Sequence, residues 1–325
     1  MTSVAGSGEG LIRPLTAEDL PDCLALSRSA NWNQNAADWS LMLREGRGWG
    51  IEVPDLEIAD PARGCPALAG SIIALPFHQG PAGDFAWLSM VLVLPAASGR
   101  GLATRLLNEA VGWLRSQQLP AVLDATPQGL PVYTRIGMAP HWTFRRYRRE
   151  AIADDGRRDG SEAAADNAPQ TAGLRQPTGG PAATRPIAEV DWPVILAADR
   201  PAFGASREAV LRDLARRKPV LARILYGGDG RLRGYVFGRD GREATQIGPL
   251  WAADDAAAHA LLDAAIGEER GPLYLDLADR HRALLPRLTA AGFAEQRPFT
   301  RMTLDTALPP GDPAHLALMA GPELG

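Results

Sequence analysis

The chain has 325 residues and a mass of 34.7 kDa, room for two domains at about 150 residues each. Hydrophobic residues make up 46% and charged residues 22%, so a sizeable core can form without disulfides or metals. A formal net charge of −4 speaks against nucleic acid or an anionic membrane as partner. Two cysteines, Cys23 and Cys65, are too few for a disulfide framework or a multi-cysteine zinc site, and no metal is expected. The opening stretch MTSVAGSGEG lacks the basic and apolar regions of a secretory signal. The longest apolar run, residues 87–97, falls far short of the roughly 18 residues of a membrane span. A cytoplasmic location is the expectation.

In chain order, Arg13 and Pro14 end a first strand. Residues 17–29 have helical spacing, with Leu20, Leu24 and Leu26 apolar and Glu18 and Asp19 in the first turn. A second helix covers 36–44. Residues 50–53, 67–75 and 85–94 are three strands rich in Val, Ile and aromatics, with a turn at 80–84. Residues 103–118 form an amphipathic helix, with Leu106, Leu107, Ala110, Trp113 and Leu114 on one face. A short buried strand at 121–125, a short helix at 130–135 stopped by Gly137, and a strand at 142–149 follow. This order describes an α/β domain on a mixed sheet.

Residues 151–186 contain no aromatic and only isolated large aliphatics, the composition of a flexible linker. The blocks on either side match. Arg13, Pro14, Asp19, Pro21, Leu24, Ala25 and Arg28 recur as Arg185, Pro186, Asp191, Pro193, Leu196, Ala197 and Arg200. Gly137, Ala139, Phe144 and Arg146 recur as Gly292, Ala294, Phe299 and Arg301. Two matches, in order and at both ends, indicate duplication. The expected domains are 1–150 and 187–306. A loose tail at 307–325 follows, with one helical turn near 315–319.

Chemistry concentrates where a strand ending at Leu94 and Pro95 passes through a small glycine-containing loop into a helix near Leu102. A helix N-terminus offers unsatisfied N–H groups and positive partial charge. Gly99, Gly101 and Ala103 keep side chains away, so those groups can converge on a pyrophosphate. The spacing is not GxGxxG and the P-loop lysine is missing, which disfavours NAD and ATP.

This junction resembles the GNAT N-acetyltransferase superfamily, whose loop reads Arg/Gln-x-x-Gly-x-Gly/Ala. The six positions here are Ser98, Gly99, Arg100, Gly101, Leu102 and Ala103. Gly101 and Ala103 match; Ser98 departs, with Arg100 and Arg105 leaving positive charge nearby. The resemblance covers about 11–150 well and implies two GNAT-like domains, each a mixed sheet flanked by helices, the second diverged. It implies acetyl-CoA as donor, bound by residues 98–103 and Thr104. The pantetheine arm would lie along Val91, Leu92 and Val93, where the sheet splays. Thr126 stands where many relatives have an Asn that touches CoA.

Tyr133 lies four residues before Gly137, in the place of a family tyrosine that protonates the departing thiolate; Met138 replaces the family's Phe. Its alternative is a core tyrosine with a satisfied hydroxyl. The general base stays open among Ser89 through a water, His78 and Asp124, because residues 85–94 hold no carboxylate. Trp32, Asn33, Gln34 and Asp38 lie where the family builds part of the acceptor wall; Trp32 and Trp39 serve either there or in packing. Arg145, Arg146, Arg148 and Arg149 alternate along the last strand, facing phosphates or forming a solvated edge.

In the second copy residues 253–258 replace the loop glycines, Asp254 and Asp255 oppose a pyrophosphate, and Leu288 replaces the tyrosine. That copy is expected not to bind CoA. The stretch 199–207, with Tyr235, Arg239 and Gln246, lines a polar pocket or makes ordinary ion pairs. The resemblance thus implies an N-acetyltransferase acting on the primary amine of a small molecule. A CoA-binding sensor or scaffold, and a protein N-acetyltransferase, are the alternatives.

Overall fold

A computed structural model describes residues 10–53, 68–81, 83–152 and 183–325. Leu11–Pro14 (β1) leads through a short 3-10 turn into Leu20–Ser29 (α1) and Ala36–Glu45 (α2). Arg47–Glu52 (β2), Leu68–Phe77 (β3) and Phe85–Val93 (β4) follow as antiparallel neighbours. Leu102–Ser116 (α3), Ala121–Ala125 (β5), Leu130–Arg135 (α4) and Ala139–Arg149 (β6) complete the first module. The second module repeats the order. Its elements are Arg185–Pro186 (β7), Trp192–Phe203 (α5), Glu208–Arg217 (α6), Arg223–Tyr226 (β8), Leu232–Arg239 (β9), Thr245–Ala252 (β10), Asp255–Gly267 (α7), Leu273–Ala278 (β11), Leu285–Ala290 (α8) and Ala294–Leu304 (β12). A final strand, Leu316–Leu318 (β13), has no counterpart among the described residues of the first module.

The matched residues do matching work. Arg13 grips Asp19 through its two terminal guanidinium nitrogens at 3.0 and 2.7 Å, and Asp19 accepts the Thr16 N–H. Arg185 grips Asp191 at 2.7 Å twice, and Asp191 accepts the Ala188 N–H. In both copies this clamp fixes the turn from first strand to first helix. Asn35 starts α2 by accepting the N–H groups of Ala37 and Asp38, while Asp38 accepts that of Asn35.

The strands form one sheet in the order β1-β2-β3-β4-β5-β12-β6-β11-β13-β10-β9-β8-β7. The two last strands have changed places: β12 of the second module pairs with β5 of the first, and β6 pairs with β11. β6 and β12 run antiparallel side by side, with Phe144 opposite Phe299 and their rings stacked at 5.0 Å. Each exchanged strand carries one buried arginine to a buried aspartate of the other module. Arg301 meets Asp124 at 2.7 and 2.9 Å, and Arg146 meets Asp276 at 2.8 Å twice. Arg301 also lies over the rings of Trp87 and Trp142, each at 4.3 Å. The apolar core crosses the module boundary, and in one cluster Trp87, Phe77 and Phe85 pack around Phe203.

Several expectations change. Residues 153–182 of the expected linker lie outside the described residues. Its ends are fixed: the Ile152 N–H donates to Arg270 O, and β7 starts the second module at Arg185, before 187. The tail is not loose. A 3-10 turn at Pro313–His315, not a helical turn at 315–319, leads into β13, and residues 316–321 and 323–325 are buried. The basic run is not a strand edge, because exchange puts β6 inside the sheet. Arg146 is buried against Asp276, Arg145 pairs with Asp279 and Glu295, and Arg148 with Glu150. Among the described residues no helix is long and apolar enough to cross a membrane.

Arg146→Met leaves Asp276 buried without its partner and should cost about 3–5 kcal/mol. Pairing it with Asp276→Leu should recover most of that loss. Midpoints of denaturant unfolding at unchanged slope check both.

Candidate functional site

β4 and β5 run parallel and pair only at Ala86–Ala121 and Trp87–Val122. Beyond these, β4 shifts register against β3, Met90 takes a φ of 53°, and the Ser71 hydroxyl donates to Met90 O at 2.9 Å. That bulge turns β4 away from β5. The opening becomes a cleft. Its sides are Leu88, Ser89, Met90 and Val91 of β4, and Leu123, Asp124 and Thr126 at and just after β5. Tyr133 enters from α4, Trp32 and Gln34 from the loop before α2, and Arg146, Arg297 and Phe299 from the exchanged strands. Pro322 and Glu323 of the tail close one side.

β4 leads through a 3-10 turn, Pro95–Ala97, into the glycine loop. Gly99 and Gly101 have φ of 78° and 74°, in the left-handed region that favours glycine. A Cβ on either would meet nothing within 4 Å, so the space over the helix start is open. Gly101 is the N-cap of α3, which has no side-chain cap and no acidic residue in its first turn. Its leading N–H groups therefore lack intrahelical and capping partners. Ser98 donates to Leu94 O at 3.4 Å, and Leu102 is buried in the core. Ala103 and Thr104 begin the helix. The Arg105 guanidinium donates to Gly10 O at 2.7 Å.

The cleft thus gathers Tyr133, Ser89, Val91, Thr126, Trp32 and Gln34 from the sequence candidates. The Tyr133 ring lies against Gly129, and burial pushes its phenol up to about 12. Ser89 faces Met42 Sδ at 3.8 Å, while Thr126 accepts the Gly129 N–H. Leu92 packs into the core, with Val91 and Val93 half-buried beside it. Asp124 is committed to Arg301; burial pushes its carboxyl up while the guanidinium opposes this.

Four other candidates serve elsewhere, and two of them, Asn33 and Asp38, hold the modules together. Asn33 bonds Ala244 O and the N–H groups of Glu243 and Ala244. Asp38 accepts from Arg217 and Arg239, each at 2.7 Å, and so serves packing, not the acceptor wall. Trp39 is core, its indole donating to Ser27 Oγ. His78 is exposed, lies outside the cleft and pairs with Asp84 at 2.7 Å. The polar residues of the second module are locked in ion pairs too. Tyr235 donates to Asp199, itself held by Arg207; Arg239 meets Asp38 and Glu323; Gln246 donates to Asp276.

The second module closes every counterpart of this path. β10 and β11 also part after three paired positions, but β13 fills the gap, pairing Leu318 with both Leu250 and Leu277. At the start of α7, Asp254 accepts the Ala257 N–H at 2.8 Å and pairs with Arg233. A fixed carboxylate thus sits where the first module leaves the helix end open.

Two family models match this chain. The Acetyltransferase (GNAT) family model matches residues 37–138, and the Acetyltransferase (GNAT) domain model matches residues 195–316, together more than half of the chain. The chain is a tandem member of the GNAT acetyltransferase family. No curated protein matches the sequence. Solved structures share the fold across both modules. A Pyrococcus horikoshii protein described as an acetyltransferase aligns at TM-score 0.71 with 16% identity, over 99% of this chain and 98% of that one. Saccharomyces cerevisiae N-myristoyltransferase aligns at 0.58 with 11% identity, over 97% and 85%. A tandem GNAT protein of the clavulanic acid pathway aligns at 0.57 with 17% identity, over 91% and 98%.

Sequence spacing in this GNAT chain missed Arg297, Phe299, Pro322 and Glu323. They reach the cleft only because β12 crosses modules and the tail threads back. The Trp87 indole donates to Pro322 O at 2.9 Å, Arg207 to Gly325 O at 2.5 Å, and Arg239 binds Glu323. No local pattern marks residues placed by such contacts. Asp254→Ala should lose the α7 cap, costing about 1 kcal/mol of stability. It should not create acetyl-CoA binding in the second module, because β13 still fills the gap; calorimetric stoichiometry and unfolding midpoints check both.

Proposed function

We propose that this tandem GNAT protein transfers an acetyl group from acetyl-CoA to the primary amine of a small molecule, with the donor bound by the first module alone. One observation carries the reading. Only there, among the described residues, does a parted strand pair lead from an uncapped, glycine-flanked helix start to a tyrosine in the cleft. The diphosphate rests on the N–H groups at the start of α3, where Gly99 and Gly101 leave space. The pantetheine lies along Val91 to Val93 and brings the thioester to Ser89 and Tyr133.

The amine nitrogen attacks the thioester carbon, and backbone N–H groups of the β4 bulge stabilise the oxyanion. The C–S bond breaks, and Tyr133 gives its proton to the sulfur. Water returns to Tyr133 the proton that the acetylated nitrogen sheds. The products are the N-acetyl amine and CoA thiol. Because burial holds the phenol at about 12, it stays protonated and able to donate across the neutral range. A small acceptor fits better than a protein segment, since Pro322 and Glu323 narrow the cleft.

Tyr133→Phe should lower turnover by about 100-fold while acetyl-CoA affinity survives. Equal rates would remove Tyr133 from the mechanism. In the wild-type enzyme the rate should show no descending limb below about pH 10, where an ordinary tyrosine ionises. Gly101→Glu should abolish acetyl-CoA binding through charge and lost space, whereas Ala256→Glu should leave it intact. Calorimetric titration with acetyl-CoA decides this: one site per chain supports the reading, and no binding overturns it.

A further inference from the structure

The cleft has four charged side chains, and three are paired: Asp124 with Arg301, Arg146 with Asp276, and Glu323 with Arg239. Arg297 is the exception. Among the described residues no carboxylate lies within 4.0 Å of its guanidinium, and its Nε is buried without a partner. Its guanidinium lies over Phe299 at 5.2 Å. Burial and then the neighbouring Arg146 charge work against its protonation, so a bound anion would relieve both.

Two buried acceptors in the same cleft also lack donors. Glu323 Oε2 and Gln34 Oε1 have no hydrogen-bond partner, although each residue is only 2% exposed. Burial pushes the Glu323 carboxyl up, but Arg239, Arg146 and the Gln34 amide pull it below its ordinary range. It therefore remains an anion with one oxygen spare. Glu323 and Arg297 feel each other's charge yet form no ion pair. A half-buried cation without an anion and buried acceptors without donors, held apart in one cleft, are complementary to a zwitterion. Trp32, Leu88 and Phe299 supply the apolar remainder.

We propose that the acceptor is an amino acid, its amino group held by Glu323 Oε2 and Gln34 Oε1, entering as ammonium and losing one proton to water before attack, and its carboxylate held by Arg297. This rests on the acetyl-transfer reading above and names the substrate class of that site. The arginine offers two parallel N–H groups, which suit a carboxylate. A site built for a charged group rejects the analogue that lacks it, because its own buried groups then stay unpaired.

The test uses the full chain with saturating acetyl-CoA and a panel of proteinogenic L-amino acids, each beside its α-amide. The amide keeps the amine and side chain and loses the carboxylate. Thiol release should favour the free acids that turn over by at least about 10-fold in kcat/KM. Arg297→Gln should erase that preference, mainly by raising KM, and Glu323→Gln should weaken acids and amides alike. Melting curves confirm that both variants fold. Calorimetric titration with the same acids, with and without CoA, reads binding apart from turnover. Amides used as well as acids, a preference that survives Arg297→Gln, or no acid bound at all would each overturn the proposal. Failure of acetyl-CoA itself to bind would instead sink the donor reading, while acid binding to the free protein would still be read.

Discussion

The architecture depends on a reciprocal pair of buried ion pairs, Asp124 with Arg301 and Asp276 with Arg146. Each arginine rides on the last strand of one module and meets an aspartate of the other. A buried charge without its partner is strongly destabilising, so each pair ties a last strand firmly to the module it has joined. Exchange puts Phe144 on Phe299 at the centre of the sheet and makes the two copies one body. The same exchange carries Arg146, Arg297 and Phe299 into the cleft. Fold and site therefore share one cause.

Duplication left two strand openings beside a helix start, and the chain has closed one of them. Asp254 caps the helix that corresponds to α3, and β13 fills the gap that corresponds to the β4–β5 split. Both closures use ordinary hydrogen bonds, from a side chain in one case and a strand in the other. The strand that closes the second path continues as the tail that walls the first. Trp87, Arg207 and Arg239 hold that tail in place and present Glu323 to the cleft. The second module thus supplies part of the wall of the cleft in the first.

Much of the first module was legible from local pattern. The strand at Ala121–Ala125 and the helix at Leu130–Arg135 have the bounds that periodicity and the Gly137 stop predict. Other elements differ by a few residues at their ends, where capping and sheet register decide. The glycine loop was legible because Gly99 and Gly101 must sit at positive φ, a constraint written in residue type. The duplication was legible because Arg13–Asp19 and Arg185–Asp191 make the same clamp. The acceptor wall was legible only in part. Asn33 and Asp38 have polar chemistry at a suitable place in the chain, yet their hydrogen bonds go to the second module.

By itself, the sequence determined what depends on neighbours along the chain: element order, the repeat, the glycine loop before α3, and the loss of that loop at 253–258. Side-chain period, backbone freedom and capping act over a few residues, so they leave a local record. Tertiary structure decided which module each last strand joins, where the tail lies, and which charges face the cleft. Those outcomes pair residues far apart in the chain, such as Asp124 with Arg301 and Trp87 with Pro322. Each is chosen by the burial of the whole assembly, because an aspartate and an arginine read alone carry no record of which partner will keep them out of water.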